Sequence, residues 1–128
     1  MIVDTSAIVA IMLQEPNFER VLEKLYLTSD AGVGTPTMTE TAIVLSARLR
    51  QDARGLLSRF INEAPIRTVP FGDAHYGTAV EAWLRFGKGR HPAALNFGDC
   101  LSYATAKLAG RPLLCTGEDF AKTDLEPA

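Results

Sequence analysis

Four carboxylates in this chain occupy positions from which they could act together. The first lies in Met1-Ile2-Val3-Asp4-Thr5-Ser6-Ala7-Ile8, where strand-forming residues run into a lone acid, two small hydroxyl residues and an apolar run to Leu13. This reads as a buried strand ending at Asp4 and turning into a helix. It would put the carboxylate at the carboxyl end of a parallel strand, where open α/β sheets form their ligand crevices. Asp and Thr ahead of an apolar run are equally ordinary helix caps, so Asp4 becomes a site candidate only through partners. Glu40 and Asp99 fall in the first turns of later helices, and Asp119 follows the last clear strand. A carboxylate near a helix N-terminus gains about 0.3–1 kcal/mol, which accounts for each acid taken singly. Several anions packed together instead repel and raise one another's pKa unless a cation joins them. Carboxylate oxygens suit the hard ions Mg²⁺ and Mn²⁺. Such an ion can polarise a phosphodiester, acidify a bound water and neutralise a leaving oxygen.

The elements needed to hold these acids can be read from periodicity. A helix from about Thr5 to Gln14 is apolar on most faces, as a doubly covered helix should be, and Pro16 ends it. Asn17 is placed to cap a second helix, with Phe18, Val21, Leu22, Leu25 and Tyr26 inward. Ala31–Thr35 reads as a short strand. Pro36 then opens a helix whose core face is Met38, Ala42, Leu45 and Leu49. Ala53–Ile61 is predicted helical with Leu56, Leu57, Phe60 and Ile61 inward, and Pro65 and Pro70 bracket a strand at Ile66–Val69. Asp73 is expected to cap a helix carrying Tyr76, Ala79, Val80, Trp83, Leu84 and Phe86. A helix from Gly98 or Asp99 to Ala109 would bury Cys100, Tyr103, Ala104 and Leu108 and stop at Gly110. The strand Pro112–Cys115 follows. Strands alternating with helices imply a mostly parallel sheet covered on both faces, the α/β class.

With 128 residues, 47% hydrophobic and 22% charged, the composition suits one domain spanning 1–128 with a single buried core. A formal charge of −2 argues against a generally basic nucleic-acid coat, while leaving open an acidic site that reaches phosphate through a cation. Cys100 and Cys115 lie in apolar segments and make no disulfide framework. His75 and His91 stand apart from any zinc-like spacing. The Ala7–Leu13 run is too short to cross a bilayer and lacks a basic flank, so a cytoplasmic protein with no membrane partner is expected.

The opening Ile-Val-Asp4-Thr-Ser-Ala, the Glu40 helix after Thr35-Pro36, the Leu95-Asn96-Phe97-Gly98-Asp99-Cys100 block and the closing Leu114-Cys115-Thr116-Gly117-Glu118-Asp119-Phe120 occur in order. Together they resemble PIN-domain ribonucleases, specifically VapC-type toxins of bacterial toxin–antitoxin pairs. The resemblance implies a three-layer α/β/α sandwich and Mg²⁺-dependent endonucleolytic cleavage of RNA, with Mn²⁺ as a substitute ion. Asp4 and Asp99 match the principal metal ligands and Glu40 the third acid. Asp119, or Glu118 beside it, stands near the fourth, although the family pattern puts an acid two residues before Asp119, where this chain has Gly117. Thr5, Ser6, Asn96 and Thr116 match polar positions that orient the acids. The resemblance also implies homodimerisation and a VapB-like antitoxin, for which the second helix and the Met38–Leu49 helix offer surfaces. Lys88, Arg90 and His91 in the Gly-flanked loop are candidate RNA contacts, because phosphate contacts position a nucleic acid without reading its sequence. A solvated basic loop is the plain alternative. Arg48, Arg50, Arg54 and Arg59 form either a binding rim or a soluble face.

Two rival functions fit the same fold class. A receiver-type signalling domain would also gather acids and Mg²⁺ at strand ends, yet here Asp4 stands alone and Thr116-Gly117-Glu118 offers no Lys. A catalytically silent RNA- or partner-binding module would use the acids only as caps.

Overall fold

The structure is a computed structural model that describes residues 1–128. Its centre is a four-stranded parallel sheet of very short strands: β1 (Ile2–Val3), β2 (Ala31–Gly34), β3 (Ile66–Val69) and β4 (Leu113–Leu114), in the order β3-β2-β1-β4. Ile2 pairs with Gly32 on one side and Leu113 on the other, and Ala31 to Gly34 pair in step with Ile66 to Val69. Six helices connect and cover the strands: α1 (Thr5–Met12), α2 (Phe18–Leu27), α3 (Thr35–Leu49), α4 (Arg54–Glu63), α5 (Asp73–Phe86) and α6 (Phe97–Ala109).

Alternation along the strands divides the interior into two cores. Val3, Val33, Ile66 and Leu114 face one layer with Ile8 of α1, Leu25 of α2, Leu45 of α3 and Leu57 and Ile61 of α4. Ile2 and Leu113 face the other, with Ala79, Ala82 and Phe86 of α5 and Cys100, Tyr103 and Ala104 of α6. This is the three-layer α/β/α sandwich expected. The chain first steps from β1 to β2 to β3 and then returns past β1 to β4. The reversal between β1 and β4 is the kind of switch point where such sheets open a crevice at their carboxyl ends. No helix is long and apolar enough to cross a membrane.

Element positions agree closely with the sequence reading, and β3 agrees at both ends. The inward faces agree less well. Tyr26 is 64% exposed rather than packed, and Leu49, Leu56, Tyr76, Val80, Trp83, Leu84 and Leu108 are also exposed. Asn17 does stand at the start of α2, but in the left-handed region (φ 68°), with no side-chain capping bond. Asn tolerates that conformation, and the chain uses it to reverse after Pro16. Asp73 is likewise the first residue of α5 rather than its cap; the Gly72 N–H donates to His75 Nδ1 at 3.1 Å.

At β2 the sheet accepts α6 closely. A side chain at Gly34 would meet Thr105 Oγ1 at 2.8 Å, so glycine here lets helix and strand approach. Leu45 is completely buried between α1, α3 and α4. Leu45→Ala is expected to lower unfolding free energy by about 2–5 kcal/mol, read from urea melts. Leu27→Ala, at an 80% exposed position, should leave the midpoint almost unmoved.

Candidate active site

Asp4 leaves β1 at the switch point and is only 4% exposed. Its extended backbone caps α1 while the carboxylate accepts from the Ser6 N–H at 3.0 Å and Ser6 Oγ at 2.7 Å, both on Oδ2. The other oxygen, Oδ1, accepts from Ser102 Oγ at 2.6 Å. Ser6 Oγ in turn accepts from the Thr116 N–H at 3.0 Å, which ties the ends of β1 and β4 together. Thr116 thus contributes its backbone to the site rather than its hydroxyl.

Asp99 lies in the first turn of α6. Asn96 Oδ1 accepts from the Asp99 N–H at 2.9 Å, and Asp99 Oδ2 accepts from the Asn96 N–H at 3.0 Å. This reciprocal box satisfies two otherwise orphaned donors, so the capping role open to both acids is seen at Asp99 as it is at Asp4. Glu40 comes from the second turn of α3. Its Oε1 accepts from Thr5 Oγ1 at 2.6 Å. Its Oε2 lies directly against Gly98, where any added Cβ would overlap the carboxylate. A residue without a side chain is therefore what allows Glu40 to reach the start of α6 beside Asp99.

These acids act on one another. Burial pushes the Asp99 carboxyl up to about 6, and the charges of Asp4, Glu40 and Asp119 push in the same direction against the bond from the Asn96 amide. Burial, followed by the charges of Asp4 and Asp99, also raises the Cys115 thiol to about 11, so Cys115 is no thiolate nucleophile at neutral pH. None of the ion pairs in the chain includes Asp4, Glu40, Asp99 or Asp119. Asp119 enters through its charge alone, just ahead of the turn Phe120–Lys122. No three His, Cys, Asp or Glu side chains stand close enough, as they are placed, to hold a metal ion; Asp4, Glu40 and Asp99 are each turned to a partner of their own. Asp99 Oδ1 and Glu40 Oε2 accept no hydrogen bond from the protein. Hard carboxylate donors, mutual repulsion and the lack of a basic side chain among them suit a divalent cation.

Sequence reasoning missed the buried hydroxyls behind the acids. Thr37, Thr41 and Ser102 are almost inaccessible. Thr41 Oγ1 lies 3.0 Å from Thr5 Oγ1 and 2.7 Å from the Thr37 carbonyl, and Thr37 Oγ1 lies 3.2 Å from Ser102 Oγ. The spacing Asp99-x-x-Ser102 would have put Ser102 on the Asp99 face of α6.

The basic loop has local duties. Arg90 Nε donates to the Leu84 carbonyl at 3.1 Å, with its guanidinium 4.9 Å from the Trp83 ring. His91 Nδ1 accepts from the Ala93 N–H, and its ring meets Phe86 edge-on. Lys88 alone of the three has no side-chain partner. Arg54 is paired with Asp52 and Arg48 with Glu15 on the surface.

A family model described as "PIN domain" matches residues 1–126. Ribonuclease VapC36 of Mycobacterium tuberculosis is 46% identical over 127 residues, which cover 98% of this chain and 91% of that protein. Ribonuclease VapC of Mycolicibacterium smegmatis is 39% identical over 125 residues, with coverage of 98% and 97%. In three dimensions the chain resembles M. tuberculosis VapC20, described as a sarcin–ricin loop cleaving toxin, at TM-score 0.78 and 17% identity over 99% of this chain and 97% of that one. A toxin–antitoxin complex from Klebsiella pneumoniae aligns at TM-score 0.70 and 17% identity over 96% and 92%.

The raised Asp99 pKa fixes the sign of a pH effect. The folded state holds the proton more tightly than the unfolded chain, so this contribution is fully present below about pH 4 and is lost as pH rises through about 6. In EDTA, Asp99→Asn should therefore melt higher than wild type at pH 7.5, and the gap should close by pH 4. A gap of constant size across that range would show that the carboxyl is not under this strain.

Proposed function

We infer the chemistry from one premise: the chain belongs to the PIN-domain family and, within it, to the VapC ribonucleases. It is an endoribonuclease of the toxin–antitoxin kind. We propose that Asp4 and Asp99 hold a divalent cation, Mg²⁺ or Mn²⁺ in its place, with Glu40 as the third acid and Asp119 at the margin. The observation that carries this reading is the crowding of four acids with no basic side chain among them: burial raises Asp99 to about 6, and the charges of Asp4, Glu40 and Asp119 push the same way. When bound, the cation would supply positive charge to the carboxylates and to the phosphate oxygens of the RNA.

The residues divide the remaining work. Asp4 is held rigid by Ser6 and Ser102, and Asp99 by Asn96. Glu40 is fixed through Oε1 by Thr5, which leaves Oε2 free to take a proton from the attacking water. The water oxygen bonds to phosphorus, the bond to the leaving ribose oxygen breaks, and that oxygen acquires a proton from solvent. Lys88 lies on a loop closed by the Gly87–Leu95 bridge, immediately before Asn96. It is the member of the basic loop free to meet a phosphate of the RNA backbone.

We propose a VapB-like antitoxin as partner and a homodimer as the assembly. Support comes from the toxin–antitoxin neighbour and from the exposed apolar residues Ile43, Phe97, Trp83 and Val80 around the site's approach. Monomeric surfaces seldom leave so much apolar area uncovered without a partner.

The reading is tested by incubating labelled RNA with wild-type, Asp4→Ala, Asp99→Asn and Glu40→Gln protein. Cleavage should need added Mg²⁺ or Mn²⁺, stop in EDTA and fall by about 10²–10⁴-fold in Glu40→Gln. Unchanged cutting by Asp99→Asn, or in EDTA, would refute it.

A further inference from the structure

We infer that Ser102 is a positioning residue for Asp4, and that its hydroxyl fixes how Asp4 stands relative to Asp99 and so how tightly the site holds a divalent cation. The inference rests on the reading of Asp4 as a metal ligand and goes beyond it by making the Ser102 hydroxyl a determinant of cation affinity.

The first ground is what Ser102 declines to do. A hydroxyl residue inside a helix commonly bonds back to the carbonyl four residues earlier. Thr105 does so on the same helix, reaching the Leu101 carbonyl at 2.9 Å, and Thr41 does so on α3. Ser102 instead turns its single proton out of α6 to Asp4 Oδ1, at 2.6 Å and across 98 residues of sequence. That length is characteristic of a hydrogen bond to an ionised oxygen. Because the one proton goes to Asp4, Ser102 must accept from Thr37 Oγ1, 3.2 Å away. Thr37 thus locks the Ser102 rotor in the donating orientation, and both side chains are buried.

The second ground is where the bond leads. Ser6, which pins the other oxygen, lies two residues from Asp4 and moves with it. Ser102 belongs to the helix that carries Asp99, three residues away and on the same face. It is the direct side-chain tie between Asp4 and that helix, so it transmits the position of one acid to the other. Loss of a group that orients a ligand typically weakens metal binding by about 10–100-fold.

The test is titration of EDTA-stripped protein with Mn²⁺, followed by calorimetry and by water-proton relaxation. Ser102→Ala should weaken Mn²⁺ binding by about tenfold or more relative to wild type. Thr105→Ala is the matched control: it removes a hydroxyl equally buried on α6 but bonded only within the helix, and its Mn²⁺ curve should overlie that of wild type. Ser102→Thr, which keeps the donor, should recover most of the affinity. In cleavage of labelled single-stranded RNA, Ser102→Ala should move the Mg²⁺ half-saturation point upward and leave KM for the RNA unchanged. Should Ser102→Ala not fold, Ser102→Cys, of similar volume but a poorer donor, is read in the same way. A Ser102 variant that binds Mn²⁺ like wild type would overturn the inference while leaving the metal site standing. Wild-type protein that binds no Mn²⁺ would overturn both.

Discussion

A carboxylate buried to 4% exposure at the end of β1 is the constraint on which the carboxyl edge of this sheet depends. Burying an ionised group is costly unless donors replace the water it loses. Asp4 receives three: the amide and hydroxyl of Ser6 from α1 and the hydroxyl of Ser102 from α6. The last obliges the two helical layers to meet above the sheet, because α6 covers one face and α3, which supplies Thr37, covers the other. Gly34 and Gly98 are the concessions in backbone bulk that make the meeting possible. One lets α6 approach β2, and the other leaves room for Glu40 against the start of α6.

Much of this was legible in the chain. Pro65 and Pro70 bracket β3, Gly110 stops α6 in the left-handed region (φ 63°), and the acids stand at strand ends or first turns. Each of those signals is local. What the sequence hid was of two kinds. The apolar faces of α2 and α5 extend past the core, so the period that identifies Leu25 and Ala79 as buried also picks out Tyr26, Val80 and Trp83, which are not. Periodicity reports which side of a helix is apolar and is silent on whether its own chain covers it. The hydroxyl network was hidden for a different reason. Its bonds join α1, α3 and α6 across 32 to 98 residues, and buried threonines on α3 carry no pattern of their own. Asp99 and Ser102 share a helix face, which is legible; that the face meets Asp4 follows only from the layers.

The network also explains how the acids are arranged without being discharged. A lysine or arginine among them would orient the carboxylates equally well, but it would neutralise them from within. Hydroxyls donate without carrying charge. Ser102, Ser6 and Thr5 fix the rotamers of Asp4 and Glu40 and leave the full negative charge in place. The residual repulsion surfaces at Asp99, the acid with a free oxygen, a capping amide as its only donor and three anionic neighbours. Its raised pKa reflects its own burial first and the uncompensated charge of those neighbours second. A protein that compensated this cluster fully by its own side chains would be easier to fold; burial and unbalanced charge at Asp99 are together what the proposed cation would relieve.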